Sequence, residues 1–138
     1  MANSEDASIK QLYPADSGTS FTADTVELGN PFDLVADIEI GEQIFRVVDS
    51  LHILASIVNL SKSTVFKVAS NPTVLTPANQ RERRRVPVPV DPSWSDNVDP
   101  QLAVEDGDVL QCHATLKIKY GANVHYSHTQ SGTFVAIA

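Results

Sequence analysis

Apolar and polar residues alternate in two long stretches, and a period of two places successive side chains on opposite faces of a strand. In "PFDLVADIEIGE", Phe32, Leu34, Ala36, Ile38 and Ile40 alternate with Asp33, Val35, Asp37 and Glu39. The pattern predicts a strand with one buried face. In "DGDVLQCHATLKIKY", Leu110, Cys112, Ala114, Leu116, Ile118 and Tyr120 form an apolar row against Gln111, His113, Thr115, Lys117 and Lys119. Gly121, Ala122 and Asn123 then supply a turn, and "NVHYSHTQSGTFVAIA" reads as two further strands broken at Gln130 to Gly132.

The middle of the chain mixes two periods. In "FRVVDSLHILASIVNLSKSTVFKV", Leu51, Leu54, Ala55 and Val58 have helical spacing, whereas the β-branched residues favour strands. The combination predicts a strand at about 43–48, one short helical turn near 49–55, and strands at about 54–60 and 64–69. Short strands at this spacing, with no long helical pattern, predict an all-β fold. It would be a single antiparallel β-sandwich, immunoglobulin-like or of similar Greek-key order, with a small barrel as the alternative. Residues 1–20 are rich in Ser, Asp and Gly and show no periodicity. They predict a flexible acidic arm ahead of a sandwich domain over 21–138.

"EDGDVLQCHATL" resembles the end-of-loop segment of immunoglobulin-type sandwiches, Asp-x-Ala-x-Tyr-x-Cys, with Asp106 and Cys112 in the matching places. The resemblance spans seven residues. Asp108 stands where the small residue belongs and Leu110 where the corner tyrosine belongs, no second cysteine exists for a bridge, and Trp94 lies on the wrong side of the loop to be the core tryptophan. It implies a sandwich-like turn into a long strand, and no immune or adhesive function.

At 138 residues the chain is the size of one domain, and 42% hydrophobic with 20% charged residues is the composition of a folded one. The start carries acids where a cleaved signal would carry bases, and the longest apolar stretch, "LHILASIVNL", is about half of the roughly 20 residues a membrane helix needs. No membrane span is expected. The single Cys112 rules out an internal disulfide and suits a cytoplasmic location, while export by a route without a cleaved signal stays open.

Charge narrows the partners. The chain carries a formal net charge of −7, yet "RERRR" at 81–85 is a basic island. An acidic whole repels phosphate backbones, so no nucleic acid is expected among the partners. The arginines belong to "NQRERRRVPVPVDPSWSDNVDP", within an Arg-, Pro- and Asp-rich connection over 77–106. Pro87 and Pro89 donate no backbone hydrogen bond, so "VPVPV" is extended, as polyproline II or along a sheet edge. Arg81, Arg83, Arg84, Arg85 and Trp94 are residue types that anchor interfaces, and they form a candidate surface for a protein partner. Alternatively, the arginines pair with the chain's own acids and Trp94 caps the core. "RERR" also matches a processing site, which has no secretory context here.

Catalytic patterns are absent: no Gly-rich phosphate loop, nucleophile elbow, paired Cys-x-x-Cys or His-Glu-x-x-His occurs. Cys112, on an apolar face, reads as a buried and inert thiol. Of the four histidines, His125 and His128 are an odd number apart and point to opposite faces of a strand, whereas His113 and His125 meet only if the hairpin register allows it. His113, His125 and Tyr126 therefore define an alternative pocket for a small molecule or carbohydrate. Asp91, Asp96, Asp99, Asp106 and Asp108 are acids with the chemistry of calcium ligands, but their spacing matches no calcium loop. No cofactor and no metal are expected. A non-enzymatic interaction or assembly module, binding through 79–100 and a sheet edge, is the leading expectation. A homo-oligomer or a subunit of a larger assembly is a third class, and an enzyme of unfamiliar type a fourth.

Overall fold

The structure, a computed structural model, describes residues 6–19, 21–69 and 72–138. Its strands are β1 (Ala7–Asp16), β2 (Thr25–Glu27), β3 (Phe32–Ile40), β4 (Ser50–Asn59), β5 (Thr64–Ala69), β6 (Thr73–Val74), β7 (Glu82–Val90), β8 (Val109–Tyr120) and β9 (Asn123–Ile137). They form two sheets, β1-β3-β7 and β2-β9-β8-β4-β5, with β6 beside β4. Every pairing is antiparallel except that of β2 with β9. The fold is thus a β-sandwich, not a closed barrel, because each sheet keeps two edges.

The two strands with the clearest alternation form the centre of their sheets. Phe32, Leu34, Ala36, Ile38 and Ile40 of β3 face Leu110, Cys112, Ala114, Leu116 and Ile118 of β8 in one continuous core, all of them buried. Gly121, at φ 57°, makes the tight turn from β8 into β9, a left-handed conformation that glycine adopts without steric cost. Leu116 is fully buried opposite Ile53, whereas Lys117 points to the other face. Leu116→Ala is expected to cost about 2–5 kcal/mol, and Lys117→Ala within about 0.5 kcal/mol. Urea unfolding measures both, and similar losses would mean that β8 is buried on both sides.

Three expectations need correction. The first concerns residues 1–20, read as a flexible arm: residues 7–16 are strand β1, paired with β3 along its whole length. Residues 1–5 and 20 lie outside the described residues. Ala7, Ile9 and Leu12 enter the core, and a bulge at Lys10 shifts the register between Ile9 and Gln11, which hides the period of two. The second concerns 43–48. Glu42–Phe45 is the helical turn α1, and it lies upstream of the 49–55 segment expected to be helical. Ile44, Phe45 and Val48 are buried, and the turn plugs one end of the sandwich as the chain crosses between sheets. Third, residues 123–137 form one strand, not two: at Gln130 to Gly132, where the sequence predicts a break, the ladder only shifts register opposite 111–113.

The 77–106 connection is likewise not one loop. Residues 82–90 are β7, an edge strand, so Pro87 and Pro89 sit where a missing donor need not break the ladder. A short 3-10 turn, Pro92–Ser95, follows.

Candidate functional site

Pairing with β3 decides the fate of the arginines. In β7, Val86, Val88 and Val90 lie opposite core residues of β3, whereas Arg83 and Arg85 lie opposite Glu39 and Asp37 on the outer face of the sheet. Glu39 is only 4% exposed. A carboxylate so buried is costly unless cations and donors surround it. Arg81 Nη1 lies 3.6 Å and Arg83 Nε 4.0 Å from Glu39. Arg85 Nε donates to Asp37 Oδ1 at 2.8 Å, and Arg84 Nη2 to Glu82 Oε2 at 3.2 Å. Each arginine of the island therefore has an acid of this chain as its neighbour. Arg83, the loosest, keeps the most exposed side chain of the four.

Trp94 is buried. Its ring meets Phe32 edge-on at 5.2 Å and stacks on Phe66 at 6.2 Å, and its Nε1 donates to the Asn30 carbonyl at 2.8 Å. A group this enclosed closes one end of the core and offers a partner little surface.

The acids flanking Trp94 and those after it are not assembled as ligands. No group of three or more His, Cys, Asp or Glu side chains suited to a metal occurs among the described residues. Asp91, Asp96 and Asp99 are exposed, Asp99 Oδ1 accepts the Gln101 N–H, and Asp106 Oδ1 accepts the Ala138 N–H. The centre of this loop is held by an ammonium group. Lys62 Nζ donates to the carbonyls of Ala103 at 2.6 Å and Pro100 at 3.2 Å, and lies 3.1 Å from Glu105 and 4.0 Å from Asp108. Burial opposes ionisation of Asp108, but the Glu105 N–H, the Asn59 amide and Lys62 outweigh it and hold the carboxyl below its ordinary value. Cys112 is fully buried, and burial pushes its thiol up to about 12, so no thiolate nucleophile is present near neutrality.

Register separates the histidines. His125 lies opposite Ile118 on the inward side of β9, and its Nε2 is 3.1 Å from both the Ala7 carbonyl and Asp6 Oδ1. It fastens the start of β1 and is not brought together with His113. His113 instead stacks on His128, with ring centroids 5.9 Å apart, and Thr115 Oγ1 lies 3.3 Å from His128 Nδ1. These two rings, with Leu54, Ser56, Thr115 and Val68, line a cleft of 310 Å³ on the outer face of the larger sheet.

That face is set by the ladder. Cross-strand rows run His128, Thr115, Leu54; then Tyr126, Lys117, His52; then Val124, Lys119, Ser50, Val74. Val58 and Val65 pair nearby. Of the ten large hydrophobic side chains exposed among the described residues, five lie here: Leu54, Val65, Val74, Val124 and Tyr126. The other five are scattered over turns and loops. None of the paired outward positions from β4 to β9 carries Asp or Glu, in a chain of net charge −7. Tyr126 and His113 were legible candidates. Leu54 and His128 were not, because their membership depends on which strands are neighbours.

No protein-family model matches the chain, and no curated protein matches it. Among solved structures it is similar to an alkylpurine DNA glycosylase of Pseudomonas fluorescens, bound to DNA containing an abasic site analog. That match has 15% identity and a TM-score of 0.43, and covers 99% of this chain and 32% of the other. It is also similar to a β-glucuronidase from glycoside hydrolase family 2, with 15% identity and a TM-score of 0.44, over 90% of this chain and 12% of the other.

Proposed function

We propose that the chain is a non-enzymatic, immunoglobulin-like sandwich module that binds a protein partner through the outer face of the β9-β8-β4-β5 sheet. The carrying observation is the concentration of half of the exposed large hydrophobics on that one face. Surface hydrophobics gathered on one face among polar groups point to an interaction site, whereas ones scattered singly over the surface are ordinary. The strand order supports the immunoglobulin-like part. Lettering β1, β3, β4, β5, β7, β8 and β9 as A, B, C, C′, E, F and G gives sheets A-B-E and C′-C-F-G, and Cys112 falls on strand F.

The expected interface thus moves from 79–100 to the opposite sheet, because the arginines face acids of their own chain and Trp94 is enclosed. A small-molecule or carbohydrate ligand is the second reading, and the 310 Å³ cleft beside His113 supports it, at the lower end of the sizes such sites have. No helix among the described residues is long and apolar enough to cross a membrane. A cytoplasmic location and the absence of nucleic-acid partners remain parts of the proposal.

Site-specific photo-crosslinking tests it. With benzoylphenylalanine at Leu54 or Tyr126, covalent adducts to a protein are expected in cells. The same group at Arg83 or Val47 is expected to give none. Adducts from Arg83 alone would return the interface to β7. An adduct of twice the chain's mass would identify the partner as a second copy.

A further inference from the structure

Among the described residues, the paired outward positions of β4, β5, β6, β8 and β9 carry lysine and no Asp or Glu, and the outward acid of this sheet, Glu27 on β2, stands beside Ile137 at the far end of β9. Lys117 and Lys119 enter no ion pair among the described residues, and His52, His113 and His128 share the face with them. The nearest acid in sequence, Asp49, lies beyond the end of β4, where its carboxylate accepts the Gly121 N–H. The β7 arginines already lie beside Glu39, Asp37 and Glu82, Lys62 beside Glu105 and Asp108, and His125 beside Asp6. At Lys117 and Lys119 an incoming carboxylate therefore meets cations without first displacing a paired acid of the described residues.

The cleft on this face has room for an acidic side chain together with water. Its 310 Å³ is the liquid volume of about ten waters. The His113 and His128 rings, stacked 5.9 Å apart, line it with the hydroxyls of Ser56 and Thr115 and the aliphatic Leu54. Two stacked imidazolium rings repel each other, and a carboxylate against both relieves that repulsion, so proton uptake and carboxylate binding favour one another. The partner named by this chemistry is an acidic, partly apolar polypeptide segment. Its carboxylates answer the histidines and lysines, and its apolar side chains answer Leu54, Val65 and Tyr126. A nucleic acid fits less well, since two lysines and three histidines offer few phosphate contacts against the field of a −7 chain.

We infer, resting on the docking-face reading, that the partner presents an acidic segment with one carboxylate seated against His113 and His128, and that its binding tightens as these histidines take up protons. The titratable groups on neighbouring outward positions of β4 and β8, among the described residues, are His52, Lys117 and Lys119, and no Asp or Glu stands among them.

The probe is a 12-residue peptide in which Glu alternates with Leu and Phe, with its Gln-for-Glu counterpart as control. Both are titrated into the 15N-labelled full chain at pH 7.5 and 5.5, where glutamate stays largely ionised. The acidic peptide is expected to shift amide resonances of Leu54, Ser56 and Thr115 and to bind several-fold tighter at pH 5.5, two surface charge pairs each adding a modest factor. His113→Gln with His128→Gln is expected to remove most of the pH dependence while leaving the dispersed spectrum of the folded chain, and His52→Gln alone is expected to leave most of it. Equal binding of both peptides to this face at both pH values would overturn the carboxylate and leave the docking face standing. Binding of neither, or resonance shifts confined to β7, would overturn both. Tighter binding of a 12-residue oligothymidylate to the same face would overturn the acidic segment in favour of phosphate.

Discussion

A chain lacking residues 1–16 is expected to lose its cooperative unfolding transition and to aggregate. β1 contributes nine paired positions to β3 and places Ala7, Ile9 and Leu12 in the core, with Tyr13 and Ala15 packed on Val35 on the other face. Full burial of Ile9, Leu12 and Tyr13 is worth about 1.5–3 kcal/mol each, so their loss removes roughly 5–9 kcal/mol. Total stabilities are of order 5–15 kcal/mol. The deletion also strips the second neighbour from β3, leaving a long apolar edge open to pairing with other chains. His125 loses its contacts with Asp6 and Ala7 at the same time. Thermal melting by circular dichroism, with light scattering, reads the result. A truncated chain that melts cooperatively near the full-length midpoint would mean that β1 is dispensable.

The sequence of β1 hides its strand character for a physical reason that does not apply to β3 and β8. β8 is covered on one side by the core and open on the other, so its sequence alternates in full. In β1 the bulge at Lys10 adds one residue to the count between Ile9 and Leu12, and residues 12–15 are buried on both faces. A strand enclosed on both sides need not alternate. The same cause explains α1, whose Ile44 and Phe45 are apolar neighbours in sequence because they fill the end of the sandwich.

The ambiguity in β4 carries functional information. Its inward face is Leu51, Ile53, Ala55, Ile57 and Asn59, a plain period of two. Leu54 and Val58 point outward, and together with Leu51 and Ala55 they make the helical spacing that obscured the strand. Apolar residues on the solvent side of a sheet are thus both the reason the period was blurred and the reason that face is a docking candidate. The arginine tract shows the reverse. Its charge was conspicuous in the sequence, but Glu39 and Asp37, which answer it, lie on a distant strand that becomes a neighbour only through the β3–β7 pairing.

Trp94→Ala is expected to destabilise the chain by about 3–5 kcal/mol, as deletion of a large buried aromatic does. The loss has three parts here: the edge-on contact with Phe32, the stack on Phe66, and the hydrogen bond to the Asn30 carbonyl. Trp94→Phe separates them. Phenylalanine keeps a ring between Phe32 and Phe66 and removes only the donor, and an acceptor left without its partner at a part-buried position costs about 1–3 kcal/mol at most. The ordering wild type, then Phe, then Ala in urea midpoints is therefore the signature of a core cap. An interface anchor behaves differently, because truncating an exposed side chain weakens binding and leaves the folded state nearly untouched. If Trp94→Ala unfolds within about 1 kcal/mol of the wild type, the ring is not the plug that its contacts describe, and the connection after β7 regains its claim to a partner.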